Sequence, residues 1–188
     1  MNPKRLFVAV SLPDAVKTKI HEWTKELRKE LPFKRWVHPD DVHLTLKFLG
    51  ETAPEKIDEV IGRLEKATFS TKPFTLQLDT IGTFGSPHNP TVLWLGVQGE
   101  LSLLHKLQQE VETSLTELGF RQDDRPFRPH LTLARRFSGE YRFSNRALSQ
   151  ATAQSDPLSW KVDRIVLYES RLGERPMYRV LREFVFQS

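Results

Sequence analysis

Apolar residues run together from Leu6 to Leu12 and stop at Pro13-Asp14, as a short buried strand does. Beyond Pro13, Val16, Ile20, Trp23, Leu27 and Leu31 recur every three or four positions, which predicts an amphipathic helix. A second strand is expected from Val42 to Leu49, ended by Gly50. Thr52-Ala53-Pro54-Glu55 reads as a capping box with proline in the first turn, and Ile57, Val60, Ile61 and Leu64 give a second helix its apolar stripe. Phe74, Leu76 and Leu78 alternate with polar residues as in a half-buried strand, ahead of a turn-rich loop at Gly82-Thr83-Phe84-Gly85-Ser86-Pro87.

The second half repeats the order. A strand is expected from Thr91 to Val97, then a helix from about Glu100 to Leu118 with Leu104, Leu107, Val111 and Leu115 on one face and Gly119 at its end. In the first half His43-Leu44-Thr45-Leu46 follows Phe7 with His43 36 positions on, and in the second His130-Leu131-Thr132-Leu133 follows Leu93 with His130 37 positions on. That agreement points to an internal duplication. Ser144 to Gln154 reads as a weak helix, and Val162 to Ser170 and Tyr178 to Phe186 as closing strands. No linker of unusual composition interrupts the chain, so residues 1–188 are read as one domain with two lobes, roughly 1–90 and 91–188.

Composition narrows the chemistry. With 188 residues the chain can bury a substantial core, and with no cysteine it offers neither disulfides, nor thiolate nucleophiles, nor thiolate metal sites. A formal charge of +4 and a pI near 9.4 favour anionic partners. The N-terminal apolar run is too short for a membrane span and lacks the form of a secretion signal. A cytoplasmic monomer with no membrane partner is expected.

On a strand, alternate side chains share a face, so His43 and Thr45 point one way and Leu44 and Leu46 the other; His130, Thr132, Leu131 and Leu133 repeat the arrangement. Two such motifs arise by chance from this composition in roughly one case in 10⁴. If the halves are related by an approximate two-fold axis, both polar pairs face one cleft. In-line attack on phosphorus needs a base on one side and an acid on the other, and two imidazoles meet that need near neutral pH. The threonine hydroxyls are suited to donate to non-bridging phosphate oxygens. Residue types do not say which histidine is acid; we take His130 as base and His43 as acid. No third ligand stands at metal-binding spacing from either motif, because Asp40 and Asp41 precede Val42 in a turn, so neither a metal nor any other cofactor is expected. His38 reads as a loop residue, and His21, His88 and His105 as surface or helix-boundary residues. Residues 119–146 carry seven arginines against three acids, interleaved with aromatics, a mixture that suits single-stranded RNA and equally a packed aromatic core under a solvated face. Trp36 is weighed between the cleft wall and the core.

Four stretches together resemble the two-histidine phosphoesterases, within them the bacterial and archaeal RNA 2′,3′-cyclic phosphodiesterases also called 2′-5′ RNA ligases. They are Arg5-Leu6-Phe7-Val8-Ala9-Val10, then Arg35-Trp36-Val37 ahead of His43-Leu44-Thr45-Leu46-Lys47-Phe48-Leu49-Gly50, then Pro129-His130-Leu131-Thr132-Leu133-Ala134-Arg135, and Leu167-Tyr168-Glu169-Ser170. The resemblance implies an α+β, bilobal, pseudo-two-fold duplicated fold, with two antiparallel sheets lining a central cleft and helices packed outside. It implies catalytic His43 and His130, phosphate-binding Thr45, Thr132 and Arg135, and a nucleotide contact at Phe48, to which Trp36 is added. The activity it implies is hydrolysis of RNA 2′,3′-cyclic phosphate ends to 2′-phosphomonoesters, with reversible 2′-5′ ligation. A phosphodiesterase of small cyclic-phosphate metabolites and a non-catalytic RNA-end binding module are the alternatives. Strict alternation puts Phe48 and Arg135 on the face opposite the histidines, so each strand must twist, bulge or end before them.

Overall fold

The first apolar run forms strand β1 (Lys4–Ser11), and Val16, Ile20 and Leu27 lie buried along helix α1 (Asp14–Glu30) in the computed structural model, which describes residues 2–139, 143 and 158–187. There follow β2 (Phe33–Trp36), a 3₁₀ turn at Pro39–Asp41, β3 (His43–Thr52), α2 (Ile57–Thr68), β4 (Phe74–Ser86), β5 (Asn89–Gly99), α3 (Leu101–Thr116), β6 (His130–Phe137), β7 (Ser159–Val162), β8 (Arg164–Ser170) and β9 (Tyr178–Val185). The helix expected at Ser144–Gln154 lies outside the described residues, as do Tyr141, Arg142 and Arg146. No described helix is long and apolar enough to cross a membrane.

Three local expectations are corrected and one strand is added. Phe33–Trp36 pairs with β6 as a strand, although four residues are too few for a legible alternation. Thr52 ends β3 with its hydroxyl on the Gly50 carbonyl, and a single 3₁₀ turn at Pro54–Lys56 leads into α2 without a side-chain cap. The glycine-rich stretch after Leu78 is no loop: β4 pairs with β5 as far as Ser86, and the Trp94 indole lies across Gly82, where a Cβ would strike the ring. Asp163 divides the stretch expected as one strand at 162–170, since β7 pairs with β4 while β8 pairs with β1.

Strand order is β7-β4-β5-β6-β3-β1-β8-β9, with β2 added on β6 and every pairing antiparallel. Two four-strand sheets therefore meet at β3 and β6, joined through one residue pair, Leu44 with Leu131. The order is symmetric about that pair. Phe7 stands opposite Phe48 on one side and Tyr168 on the other, and Val92 opposite Arg135 and Phe84, so the two sheets repeat each other in register. The lobes do not follow the division at residue 90. Pro87 and His88 form a tight hairpin turn that keeps β4 beside β5, and the C-terminal β8 and β9 complete the sheet of β1.

One apolar cluster joins the helix stripes to one face of the strands, with Val16, Ile20, Leu64, Leu104, Leu107 and Val111 meeting Leu44, Leu46, Leu131 and Leu133. Each such buried aliphatic side chain contributes about 1.5–3 kcal/mol. The leucines of both motifs are thus anchored, and His43, Thr45, His130 and Thr132 are held on the other face.

Candidate active site

Antiparallel pairing at Leu44–Leu131 sets His43 beside Thr132 and Thr45 beside His130, one step to either side. His43 and His130 become diagonal neighbours on adjacent strands, a relation that sets two residues roughly 7–8 Å apart. A phosphate with a hydrogen bond of about 2.7–3.0 Å on each flank fits such a gap.

Both rings are held alike. His43 Nδ1 lies 2.7 Å from the Asp41 carbonyl oxygen and His130 Nδ1 2.6 Å from that of Arg128, in each case the residue two positions earlier. A carbonyl only accepts, so Nδ1 carries the proton and the neutral ring has its lone pair on Nε2. At His43 the Thr45 hydroxyl donates to that Nε2 at 3.0 Å.

Each motif strand carries a bulge three positions after its histidine. Val8 pairs with Lys47 and Ala9 with Thr45, leaving Leu46 extra; Leu93 pairs with Ala134 and Trp94 with Thr132, leaving Leu133 extra. A bulge shifts the alternation by one. Leu46 and Lys47 are therefore both buried, as are Leu133 and Ala134, and Phe48 and Arg135 turn to the face of the histidines. Phe48 is 62% exposed with its ring 5.9 Å from Phe7, and the Arg135 charge acts on His43 and Tyr178. Trp36 does not join them. It stands opposite the buried Ala134, packs near Phe33 and has the Arg28 guanidinium 5.2 Å over its ring. Pairing with β6 turns Trp36 toward the apolar cluster, against which it packs half-buried.

Several cleft residues escaped the sequence pattern. Phe7 lies 4.8 Å from the His43 ring, Tyr178 5.1 Å edge-on and Tyr168 6.2 Å, while Phe84 stands 5.0 Å from His130 and perpendicular to it, with Trp94 at 6.4 Å. Alternation along the flanking strands was the available signal, but it does not say which face is the cleft. Asp41, a turn residue by sequence, has a structural role. Its carboxylate is buried and accepts the Met177 and Tyr178 N–H groups at 2.8 and 3.0 Å, tying the start of β9 to the turn that holds His43. His38 accepts from the Asp40 N–H in the same turn, as a loop residue would. Among the described residues no three His, Cys, Asp or Glu side chains cluster as metal ligands.

Burial pushes His43 down from 6.5 to about 4; the Asp41 carbonyl bond and carboxylate oppose this, and the Arg135 and His130 charges add to it. Burial likewise pushes Tyr168 up to about 12, aided by Glu183 and Asp41, so its hydroxyl is a donor at neutral pH. The shift at His43 has a consequence for stability. Between about 6.5 and 4 the unfolded chain binds the proton and the fold does not, so stability falls as pH drops through that window. Urea unfolding of wild type and His43→Gln at pH 7 and 4.5 should show wild type losing about 2 kcal/mol more than the variant. Parallel losses would mean that His43 is not held neutral.

Comparison with known proteins agrees with this geometry. The model of the 2′-5′ RNA ligase superfamily matches residues 12–174. An RNA 2′,3′-cyclic phosphodiesterase of Geobacillus stearothermophilus is 36% identical over 184 residues, covering 98% of this chain, which spans 58% of that relative's length. The RNA 2′,3′-cyclic phosphodiesterase of Bacillus subtilis strain 168 is 30% identical over 178 residues, 95% of this chain and 94% of its own. The crystal structure of E. coli LigT complexed with 3′-AMP superposes with a TM-score of 0.77 at 28% identity, covering 99% of both chains. A duplicated sheet with paired His-x-Thr motifs, a family match over most of the chain and full-length relatives lead to one conclusion: the chain belongs to the 2′-5′ RNA ligase superfamily.

Proposed function

We propose that the protein hydrolyses the 2′,3′-cyclic phosphate at the end of an RNA or oligonucleotide, leaving a 2′-phosphomonoester, as a cytoplasmic monomer without metal or cofactor. The observation that carries this reading is the Leu44–Leu131 pairing, which brings together two histidines whose Nδ1 atoms are held in the same way. Relatives carrying the name RNA 2′,3′-cyclic phosphodiesterase support the substrate class.

His130 Nε2 takes a proton from water as its oxygen attacks phosphorus; the bond from phosphorus to the ribose 3′ oxygen breaks, and His43 Nε2 protonates that oxygen. In the free protein His43 is neutral, so its proton is loaded when the phosphodiester anion arrives beside it. A site that disfavours charge then releases the proton readily to the leaving oxygen. Once His43 Nε2 is protonated it no longer accepts from Thr45, whose hydroxyl turns, like that of Thr132, to donate to a non-bridging oxygen; Arg135 supplies the fixed positive charge, and Phe48 offers a face to the terminal base. With a ribose 5′ hydroxyl in place of water, the same steps join two ends through a 2′-5′ linkage.

RNA ending in a 2′,3′-cyclic phosphate, offered with chelator present, is expected to yield a 2′-phosphate end at an undiminished rate. A 3′-phosphate product, or loss of turnover in chelator, overturns the reading. The acid role is tested apart by NMR titration of the His43 ring. Its pKa should rise from about 4 when an unreactive phosphate analogue binds, and a value still near 4 in the complex would make His43 the base.

A further inference from the structure

Arg35 stands directly opposite Arg135 in the β2–β6 ladder, and both are exposed. Residues directly opposite on neighbouring strands project from the same face, so Arg35 shares the cleft face of Arg135. The next pair of that ladder, Trp36 with Ala134, faces the core. Two guanidiniums so placed repel each other, an arrangement that costs stability in an unliganded sheet. Neither has a carboxylate partner among the described residues, whereas Arg63, Arg164 and Arg182 each do. Beside them Arg136, also exposed, holds a backbone φ of 61°. Arg135 lies beyond the bulge at Leu133, past His130 and Thr132, and Arg35 faces it from β2, which shares with β3 the edge of β6 opposite β5. The space between the histidines lies beside the Leu44–Leu131 pair, four residues along β6 from Arg135 and its partner Arg35.

We propose that Arg35, opposite Arg135 at the outer end of the cleft, binds a second phosphate of the RNA chain, the internucleotide phosphate on the 5′ side of the terminal cyclic nucleotide. This rests on the function proposed above and deepens it: the site is built for an oligonucleotide end rather than for a mononucleotide or a small cyclic metabolite. With Arg135 on the cyclic phosphate, a second phosphate on Arg35 offsets the repulsion between the guanidiniums through a charge-assisted contact, the planar fork being suited to phosphate oxygens.

Cytidine 2′,3′-cyclic phosphate carries one phosphate, and the cytidine dinucleotide with the same cyclic end carries two. Wild type should favour the dinucleotide in kcat/KM. Arg35→Gln should lower the dinucleotide value about tenfold through KM, leave the mononucleotide within about twofold, and reduce the salt dependence of dinucleotide binding by about one unit of slope. Arg35→Lys should recover part of the loss. Because the mutation removes a repulsion, the melting temperature of Arg35→Gln should stay the same or rise, whereas a structural role would lower it. Calorimetric binding of the corresponding mono- and dinucleotide 2′-phosphates reads the same contact without turnover. Equal effects on both lengths, or no narrowing of the gap between them in the variant, overturn the proposal, whether or not the cyclic ends are hydrolysed. Absence of turnover with an intact binding difference overturns only the hydrolytic reading.

Discussion

Alanine at His130 is expected to lower kcat/KM on RNA with a 2′,3′-cyclic phosphate end by about 10²–10⁴-fold, and alanine at His43 by a similar factor. Each ring is held at Nδ1 by a backbone carbonyl and offers Nε2 to the space between the motif strands, so each variant removes one of two proton transfers while leaving its strand anchored through Leu44 or Leu131. The double variant should be little slower than either single one, since an acid and a base serving one transition state act as a unit. Steady-state kinetics on all three proteins is the measurement. Full activity in either single variant rejects the paired mechanism, and a double variant showing the product of the two single losses means that the rings act in separate steps.

Replacing Glu112 with leucine is expected to cost about 3–5 kcal/mol of folding stability. The Leu46 bulge turns the Lys47 side chain into the core, where it is 1% exposed. Its Nζ lies 2.6 Å from Glu112 on α3 and 2.8 Å from the Arg121 carbonyl oxygen, and Glu112 in turn accepts the Asp123 N–H at 3.2 Å. Removing the carboxylate strands an ammonium in an apolar interior and frees the segment that leads from α3 to His130. Adding Lys47→Met to Glu112→Leu should recover most of the loss, because the isolated charge and not the missing attraction is the chief penalty. Urea unfolding of the three variants checks this. A Glu112→Leu protein within about 1 kcal/mol of wild type would mean that Lys47 reaches solvent in the folded state.

The pair at Lys47 also illustrates where local reading stops. Lys47 follows four residues that alternate cleanly, and by that alternation it belongs with His43 and Thr45 on the cleft face. The bulge reverses its direction and exposes Phe48 instead. The need for some irregularity before Phe48 and Arg135 was legible; its position at Leu46 and Leu133 was not, because a bulge is set by how the neighbouring strand packs. Asp41 is a harder case. Its partners, Met177 and Tyr178, lie 136 and 137 positions away and use backbone N–H groups, which no side-chain pattern reports. The facing of Trp36 and Arg35 was not legible for the same reason, since a four-residue strand takes its facing from β6 rather than from its own sequence.

By itself, the order of residues determined the elements with strong periodicity, the exclusion of thiol chemistry and the presence of two matching His-x-Thr strands, since each of these depends on neighbours within a few positions. Tertiary structure alone decided that Leu44 meets Leu131, that C-terminal strands complete the N-terminal sheet, and that His43 lies among Phe7, Tyr168 and Tyr178, where its proton affinity drops. Strand pairing, burial and charge act through space between residues far apart in the chain, and local periodicity carries no record of which distant strand supplies them.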